Sequence, residues 1–530
     1  MAEALSELAT IVGRLQELLG ADAVSTGEAD LDFFSHDVYT RGAPLLAVIR
    51  PGDVEALGEA MRALHEAGIA LIPRGGGMSY TNAYLAASPG AVVLDTGGLN
   101  RVVHVDTDDM YVTVECGCTW KTLAEALKAH GVRTPYWGPL SGMRATVGGA
   151  LSQGSIFLGS GRHGSAADNV QSLDVLAADG SLIRTGSRVN TFAKPFYRNY
   201  GPDLTGLFTG DCGALGVKVR ATLPLLRLLP ESRYASFTYP SSATLLATMA
   251  EIARLRLVSE CFAFDPGLQR QRLKRAGLTE DLKSLGRVVK SAGSTLGGIR
   301  ESLKIAAAGR RFLDNEGFSM HVSLDAHTSS GADEALAAVR EVAARDGREV
   351  ENTIPKVMRA DPFANVNSVL GPSGERWVPV HGIVPLSQGP AMFAELTAVF
   401  DEHEAELQRH GIETGVLMCT IGSSAVLLEP CLYWPDSRPP FQNRVLDGDY
   451  LKKLNSYDDN PAARPAVAAL RSALTDTLHR NGATHFQIGK TYPYADDADP
   501  GARALLEAIK AHVDPHGCLN PGALGLAEPD

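Results

Sequence analysis

The sequence predicts an α+β protein of two domains, followed by a C-terminal segment. Three observations carry this expectation. At 530 residues the chain exceeds what one hydrophobic core normally organises. Between about 45 and 225, short apolar strands alternate with glycine-rich turns and one or two helices. After Pro224 the text becomes strand–helix–strand, which suits a second α+β unit around an antiparallel sheet. We therefore expect a first domain over 1–230, opened by a helix over 1–20, a second over 231–480 and a closing segment over 481–530.

In the first domain LLAVIRP reads as a strand, VEALGEAMRALHEAG as an amphipathic helix, and ALIPRGGG as a strand entering a glycine loop. AVVLDTGGL and YVTVECG follow as strands, and SLDVLAADGSLIRTG as a hairpin turned at Asp179-Gly180. Residues 241–310 carry helical patterns. GFSMHVSLDA, WVPVHGIVPL and SAVLLEPCLYW are the strands of the second domain, separated by helices.

Charge and cysteine content narrow the function. A net charge of −12 argues against a nucleic-acid binder, which needs a basic surface. Seven scattered cysteines without a CxxC pair give neither a disulfide framework nor a zinc site, and Cys116 and Cys118 read as reduced packing residues sharing a strand face. No metal is expected, because no His-x-x-x-His cluster with a neighbouring acid occurs. No run reaches the ~18 apolar residues of a membrane span, and Glu3 and Glu7 contradict a secretory leader, so a cytoplasmic location is expected.

Chemistry concentrates in three glycine-rich pieces. Pro73-Arg74-Gly75-Gly76-Gly77-Met78-Ser79 follows a strand, and three glycines let backbone amides approach a phosphate. Residues 138–170 hold eight glycines in thirty-three positions. The third piece joins Gly201-Pro202-Asp203-Leu204 to Gly213-Ala214-Leu215-Gly216-Val217. Gly159-Ser-Gly161-Arg-His-Gly164 formally fits GxGxxG, but a loop and hairpin follow it instead of a helix, which excludes a dinucleotide fold of the βαβ kind.

In this order the three pieces resemble the FAD-binding domain of the vanillyl-alcohol oxidase / p-cresol methylhydroxylase (PCMH-type) flavoproteins, over about residues 40–230. The second domain resembles, more loosely, the substrate cap of the same proteins. The resemblance implies FAD held by Pro73, Arg74, Gly75, Gly76, Gly77, Met78 and Ser79 at the pyrophosphate. Pro139, Gly142, Thr146, Gly148, Gly149, Gly159, His163, Ser165, Gly213, Gly216, Val217 and Asn520 line the rest. Met78 stands where a tethering histidine occurs in some members, and 138–149 lacks cysteine, so dissociable FAD is expected.

On the substrate side the resemblance places Tyr80 near a phenolate-clamping tyrosine, and Ser165 where an aspartate flanks the flavin. The closing stretch supplies Gln487, Lys490 and Tyr492 in place of a Tyr-Arg pair. His163 and His381 are candidates for base or substrate anchor, each equally readable as structural. Glu429 lies in an apolar strand and must pair, Lys490 being one choice, or face a cavity. The implied activity is oxidation of an aromatic alcohol, alkylphenol or related hydroxylated compound, with oxygen or another acceptor taking the electrons. A D-2-hydroxyacid dehydrogenase, using Arg162, Arg198 or Lys490 on an anion, is the alternative. A transferase like alkyl-dihydroxyacetone-phosphate synthase is a third reading. Association of identical copies stays open.

A basic insertion over 268–311 stands apart. From 270 to 311 it holds eleven Lys/Arg against three acids, a local charge of +8. It reads as a solvated helical insertion in the cap, or as a lid that docks on an anionic membrane or an acidic redox partner.

Overall fold

The computed structural model describes residues 2–276 and 317–526. It contains two small sheets before residue 225, a two-stranded pairing of Val132–Arg133 with Leu226–Arg227, and one large sheet after them. The first sheet orders Val24–Ser25, Leu45–Ile49, Ala91–Asp95 and Leu71–Arg74. Its last three strands are parallel, which the hairpin-like reading of this region did not anticipate. The Val54–Glu66 helix makes the crossover, capped by Asp53 accepting from the Ala56 amide. Its Leu57, Met61 and Leu64 are buried beneath the sheet, at helical spacing.

The second sheet is antiparallel, ordered Val102–Asp106, Tyr111–Glu115, Val217–Pro224, Ser172–Leu176 and Leu182–Arg184. The Asp179-Gly180 hairpin forms as expected, with Gly180 at φ +77°. Cys116 and Cys118 fall just beyond the Tyr111–Glu115 strand rather than inside it, and both are buried free thiols.

Seven strands of the large sheet run Arg348–Val350, Glu231–Tyr239, Phe318–Ala326, Glu260–Phe264, Glu413–Ile421, Ala425–Trp434 and Arg376–Pro379. An eighth, Gly382–Pro385, also pairs with Ala425–Trp434. All its pairings are antiparallel. Glu260–Phe264 breaks the expected helical run, because its five residues are all buried between two neighbouring strands. One face packs on the Ser242–Leu255, Ser329–Ala343, Gly389–Glu402 and Ala463–Arg480 helices. The other, with Phe262, Phe264, Cys419 and Cys431, turns toward the N-terminal sheets.

The closing segment returns as expected. The Leu71 amide donates to the Cys518 carbonyl and the Asn520 amide to the Leu71 carbonyl, which places the tail beside the strand entering the glycine loop. The basic segment lies outside the described residues from 277 onward. Of its described cations, Lys274 pairs with Glu413 at 2.7 Å and Arg272 lies over the Phe264 ring at 4.2 Å.

Candidate active site

The Leu71–Arg74 strand delivers Gly75–Gly77 to the head of a cleft with about 910 Å³ of empty space, part of it open to solvent. Its walls bring together Pro73, Arg74, Gly75, Gly76, Gly77, Met78 and Ser79 with Pro139, Thr146, Gly148, Gly149, Gly213, Gly216 and Val217. The three glycine-rich pieces thus meet, although they are separated by up to about 140 residues of chain.

The glycines serve the protein's own backbone as much as a ligand. A Cβ on Gly76 would lie 1.9 Å from the Arg144 carbonyl oxygen, and one on Gly75 would lie 2.3 Å from Thr146 Oγ1. The loop is therefore packed edge-on against the 141–146 turn. Thr146 Oγ1 in turn accepts from the Gly149 amide and starts the Val147–Gln153 helix.

The Arg74 side chain does not carry its charge to the cleft. Its guanidinium donates to the Phe34 and His36 carbonyls at 2.8 and 3.0 Å and is enclosed by the Phe33, Phe34 and Tyr84 rings. Arg74 lines the cleft while its side chain braces the loop from behind. Beside the loop, the buried Arg144 Nε has no hydrogen-bond partner among the described residues. Arg144 does not line the cleft, however, and what fits a pyrophosphate there is the backbone of Gly75–Gly77 and Gly148–Gly149, which brings no side chain to the wall.

Five other expected cofactor residues lie outside this cleft. A Cβ on Gly142 would meet Phe363, and the Gly159 amide donates to Glu260 of the large sheet. His163 sits on the Ser160–His163 turn, where burial and the nearby Arg133 and Arg162 push its imidazole down to about 4. Asn520 staples the tail by donating to the Ala83 and Cys212 carbonyls. Ser165 lines a second cavity, with about 680 Å³ of space, bordered by Gln153, Ile383, Ile421, His485, Phe486 and Gln487. Gln153 and Gln487 line both cavities, so the two adjoin.

Behind Phe486 and Gln487 stands a buried cluster of packed aromatic rings. Tyr80 Oη accepts from Gln487 Nε2 at 3.1 Å, and its ring meets Trp377 edge-on at 5.4 Å and His381 at 5.8 Å. His381 stacks on Phe486 at 4.0 Å and neighbours Tyr492 at 4.8 Å, whose hydroxyl accepts from the His381 amide. The His381 ring is fully buried, and neither nitrogen has a partner among the described residues. Burial holds this imidazole well below its usual range, so it is neutral. A neutral imidazole with an open nitrogen can accept a proton from a hydroxyl.

The cations considered for substrate binding, and Arg471 beside the cluster, are engaged by the protein itself. Lys490 Nζ donates to the Leu85 carbonyl at 2.7 Å, so it is not the partner of Glu429. Arg471 donates to the Tyr80 carbonyl, and Arg198 pairs with Asp203. Arg471 was missed because a polar residue on a long helix reads as a solvated face. The half-buried Glu429 side chain has no hydrogen-bond partner among the described residues, and burial pushes its carboxyl up to about 8, against a weaker pull from Arg272.

This shift has a sign that can be measured. From about pH 4.5 to 8 the unfolded chain has lost this proton while the folded protein retains it, so stability falls as pH rises through that window. Glu429→Gln is expected to flatten this part of the thermal-midpoint curve and to raise the midpoint near pH 8. Identical pH slopes in variant and parent would refute the shift.

His65, Asp514 and Cys518 also lie with ligand-capable atoms within 4.8 Å of one another. Asp514 there accepts from Lys510 Nζ at 2.6 Å and from the Cys518 and Leu519 amides, so the Lys510 ammonium already meets the carboxylate.

The cleft and fold define a flavin-binding protein. Residues 45–186 match the FAD binding domain family. Over the whole chain, the fold is shared with p-cresol methylhydroxylase and 4-ethylphenol oxidase. The p-cresol methylhydroxylase structure with substrate bound superposes with a TM-score of 0.71 over 98% of this chain and 97% of that one, at 17% identity. An FAD-linked oxidoreductase of Escherichia coli K12 is 29% identical over 42% of this chain and 46% of its own length, so the match spans under half of that relative. A probable mitochondrial D-lactate dehydrogenase of Danio rerio is 24% identical over 97% of this chain and 91% of its own. No helix among the described residues is long and apolar enough to cross a membrane.

Proposed function

We propose that the protein is an FAD-dependent oxidoreductase that oxidises an aromatic alcohol, alkylphenol or related hydroxylated molecule. The observation that carries this reading is the cluster of packed rings, Tyr80, Trp377, His381, Phe486 and Tyr492, directly behind Phe486 and Gln487 on the wall of the second cavity beside the flavin cleft. FAD, when bound, supplies the hydride acceptor. Phe486, which lines the second cavity, offers an aromatic ring to a flat substrate there. Tyr80 and Gln487 offer a hydroxyl–amide pair to its oxygen, and His381 holds an open nitrogen for the departing proton.

The test is a panel of aromatic alcohols, 4-alkylphenols and D-2-hydroxyacids, followed anaerobically as loss of the oxidised-flavin absorbance. Bleaching by the phenols or aromatic alcohols supports the reading. Bleaching by D-lactate alone would replace it with the second reading, which the near full-length match to the Danio rerio relative favours. Tyr80→Phe is expected to lower kcat/KM by about 10²-fold, as for loss of a positioned acid–base or anchoring hydroxyl. Lys490→Met should do much less, since the Lys490 ammonium holds the Leu85 carbonyl. A smaller loss for Tyr80→Phe than for Lys490→Met would move the site.

We further propose that the flavin is held without a covalent bond. Met78 lines the cleft where a tethering histidine would stand. Cys116 and Cys212 also line it, but burial pushes both thiols up to about 12, so neither supplies a thiolate near neutral pH. After denaturing electrophoresis the protein band should show no flavin fluorescence; a fluorescent band would overturn this.

A further inference from the structure

The second cavity has a one-sided charge pattern. Its walls are apolar at Ile156, Ile383, Ile421, Phe486 and Ile488. Gln153 and Gln487, shared with the flavin cleft, put two carboxamides at its inner end. Asp168 also lines it and is exposed, so its carboxylate stands where the cavity meets solvent. Among the described lining residues, no other side chain is an acid, a lysine or an arginine.

Asp168 is held in place. Its carboxylate accepts from the Ser165 amide and from Ser165 Oγ, both at 2.8 Å. A Cβ on Gly164, at φ +78°, would lie 2.5 Å from the same carboxylate, so the Gly164 backbone packs against it. Both donors are neutral, and no cation among the described residues pairs with Asp168. Arg198 comes near in the chain, donating to the Ala167 carbonyl, but two of its nitrogens grip Asp203. The charge of Asp168 is therefore fixed and unneutralised.

Nothing on the walls offsets that charge. His485 is the other titratable group there. Its Nδ1 lies 2.8 Å from the His381 carbonyl, which can only accept, so Nδ1 carries the proton of the neutral ring. Burial holds this imidazole below its usual range, so it brings no positive charge at neutral pH. Arg162, Arg198 and Lys490, the cations that an anionic substrate would call for, line neither cavity. A carboxylate entering the second cavity would meet a fixed negative charge and no positive one, which weakens its binding. An ammonium or amidinium group meets the opposite field.

We propose that Asp168 is a specificity-determining residue: the second cavity takes a flat aromatic molecule whose outer end is neutral or cationic, and Asp168 turns away molecules that carry a carboxylate there. This selection rests on the reading above, in which the substrate occupies the second cavity, and it narrows the substrate class to hydroxylated aromatics without an acidic substituent.

The test uses the full-length, oxidised, FAD-loaded protein and three probes of one shape: 4-hydroxybenzamidine, 4-hydroxybenzamide and 4-hydroxybenzoate. Near neutral pH these are cationic, neutral and anionic. None has a benzylic C–H to lose as hydride, so calorimetric titration reads binding alone. The benzoate is expected to bind about tenfold or more weakly than the amide, as for a like charge a few ångströms away near a protein surface, and the amidine at least as tightly as the amide. In Asp168→Asn, which keeps an oxygen for the Ser165 amide, the ratio of amidine to benzoate affinity should fall by about tenfold, and in Asp168→Lys the order should reverse. FAD content and thermal midpoint show that each variant is folded. Equal binding of benzoate and amide by the parent would overturn the proposal, as would an unchanged ratio in folded Asp168→Asn. If the charge order appears while 4-alkylphenols fail to bleach the flavin, selection by Asp168 stands and only the oxidation reading falls. Absence of binding by all three probes would overturn both.

Discussion

Gly76→Val is expected to leave the purified protein with less than about a tenth of the parent's FAD, because a β-branched side chain cannot occupy this position. The structure locates the obstruction on the protein itself. A Cβ would sit 1.9 Å from the Arg144 carbonyl oxygen and 2.5 Å from its carbon, distances that backbone cannot relax without moving the 141–146 turn. Displacing that turn carries along Thr146, the cap of the Val147–Gln153 helix, and with it Gly148 and Gly149 on the cleft wall. The flavin-to-protein ratio from the 450 nm and 280 nm absorbances, about one in the parent, is the readout. Gly76→Ala should already show most of the loss, since the first carbon makes the clash. Full occupancy in both variants would mean that the cofactor does not depend on this loop.

The second large effect concerns stability. Arg359, on the Thr353–Ala360 helix, donates to both oxygens of Glu260 at 2.8 and 2.9 Å and to both oxygens of Asp325 at 2.6 and 2.7 Å. Ser232 and Ser259 also donate to Asp325, Arg133 lies 3.4 Å from it, and the Gly159 amide donates to Glu260. This network joins the large sheet to the turn before His163. Arg359→Met removes one buried cation and leaves two buried carboxylates short of charge, a change worth about 3–5 kcal/mol. That is a large share of the ~5–15 kcal/mol that holds a typical domain folded. Chemical denaturation should show the midpoint falling accordingly, and Arg359→Met combined with Glu260→Gln should recover part of it, because the second change removes one stranded charge. An unchanged midpoint in the single variant would show that the network contributes no net stability.

Legibility differed by the length scale of the signal. The phosphate loop, the 138–149 turn and the Gly213–Val217 piece are contiguous, and each announces itself by glycines where backbone must pass close to something. What they pass close to was not legible: Gly76 abuts Arg144 and Gly142 abuts Phe363, partners 68 and 221 positions away (144 − 76 and 363 − 142). The Glu260–Phe264 strand was hidden because five buried residues between helices offer no alternation to read. Arg74 illustrates the same limit for a side chain. Its position after a strand is local information, but the Phe34 and His36 carbonyls that take its donors lie 40 and 38 residues away.

By itself, the sequence determined the α+β class, the FAD cleft's three backbone pieces, the cap with its antiparallel sheet and the return of the tail to the first domain. The class and the glycine pieces follow from periodicity and from glycine, both properties of neighbouring residues, while FAD and the tail's return were implied by the resemblance. Tertiary structure alone decided which side chains face which. It packed Tyr80, Trp377, His381 and Gln487 together from separate strands and loops, turned Lys490 to Leu85 and Arg198 to Asp203, and left His163 outside both cavities. The physical reason is that a hydrogen bond or ion pair is fixed by a few tenths of an ångström between groups far apart in the chain, a distance no local pattern encodes.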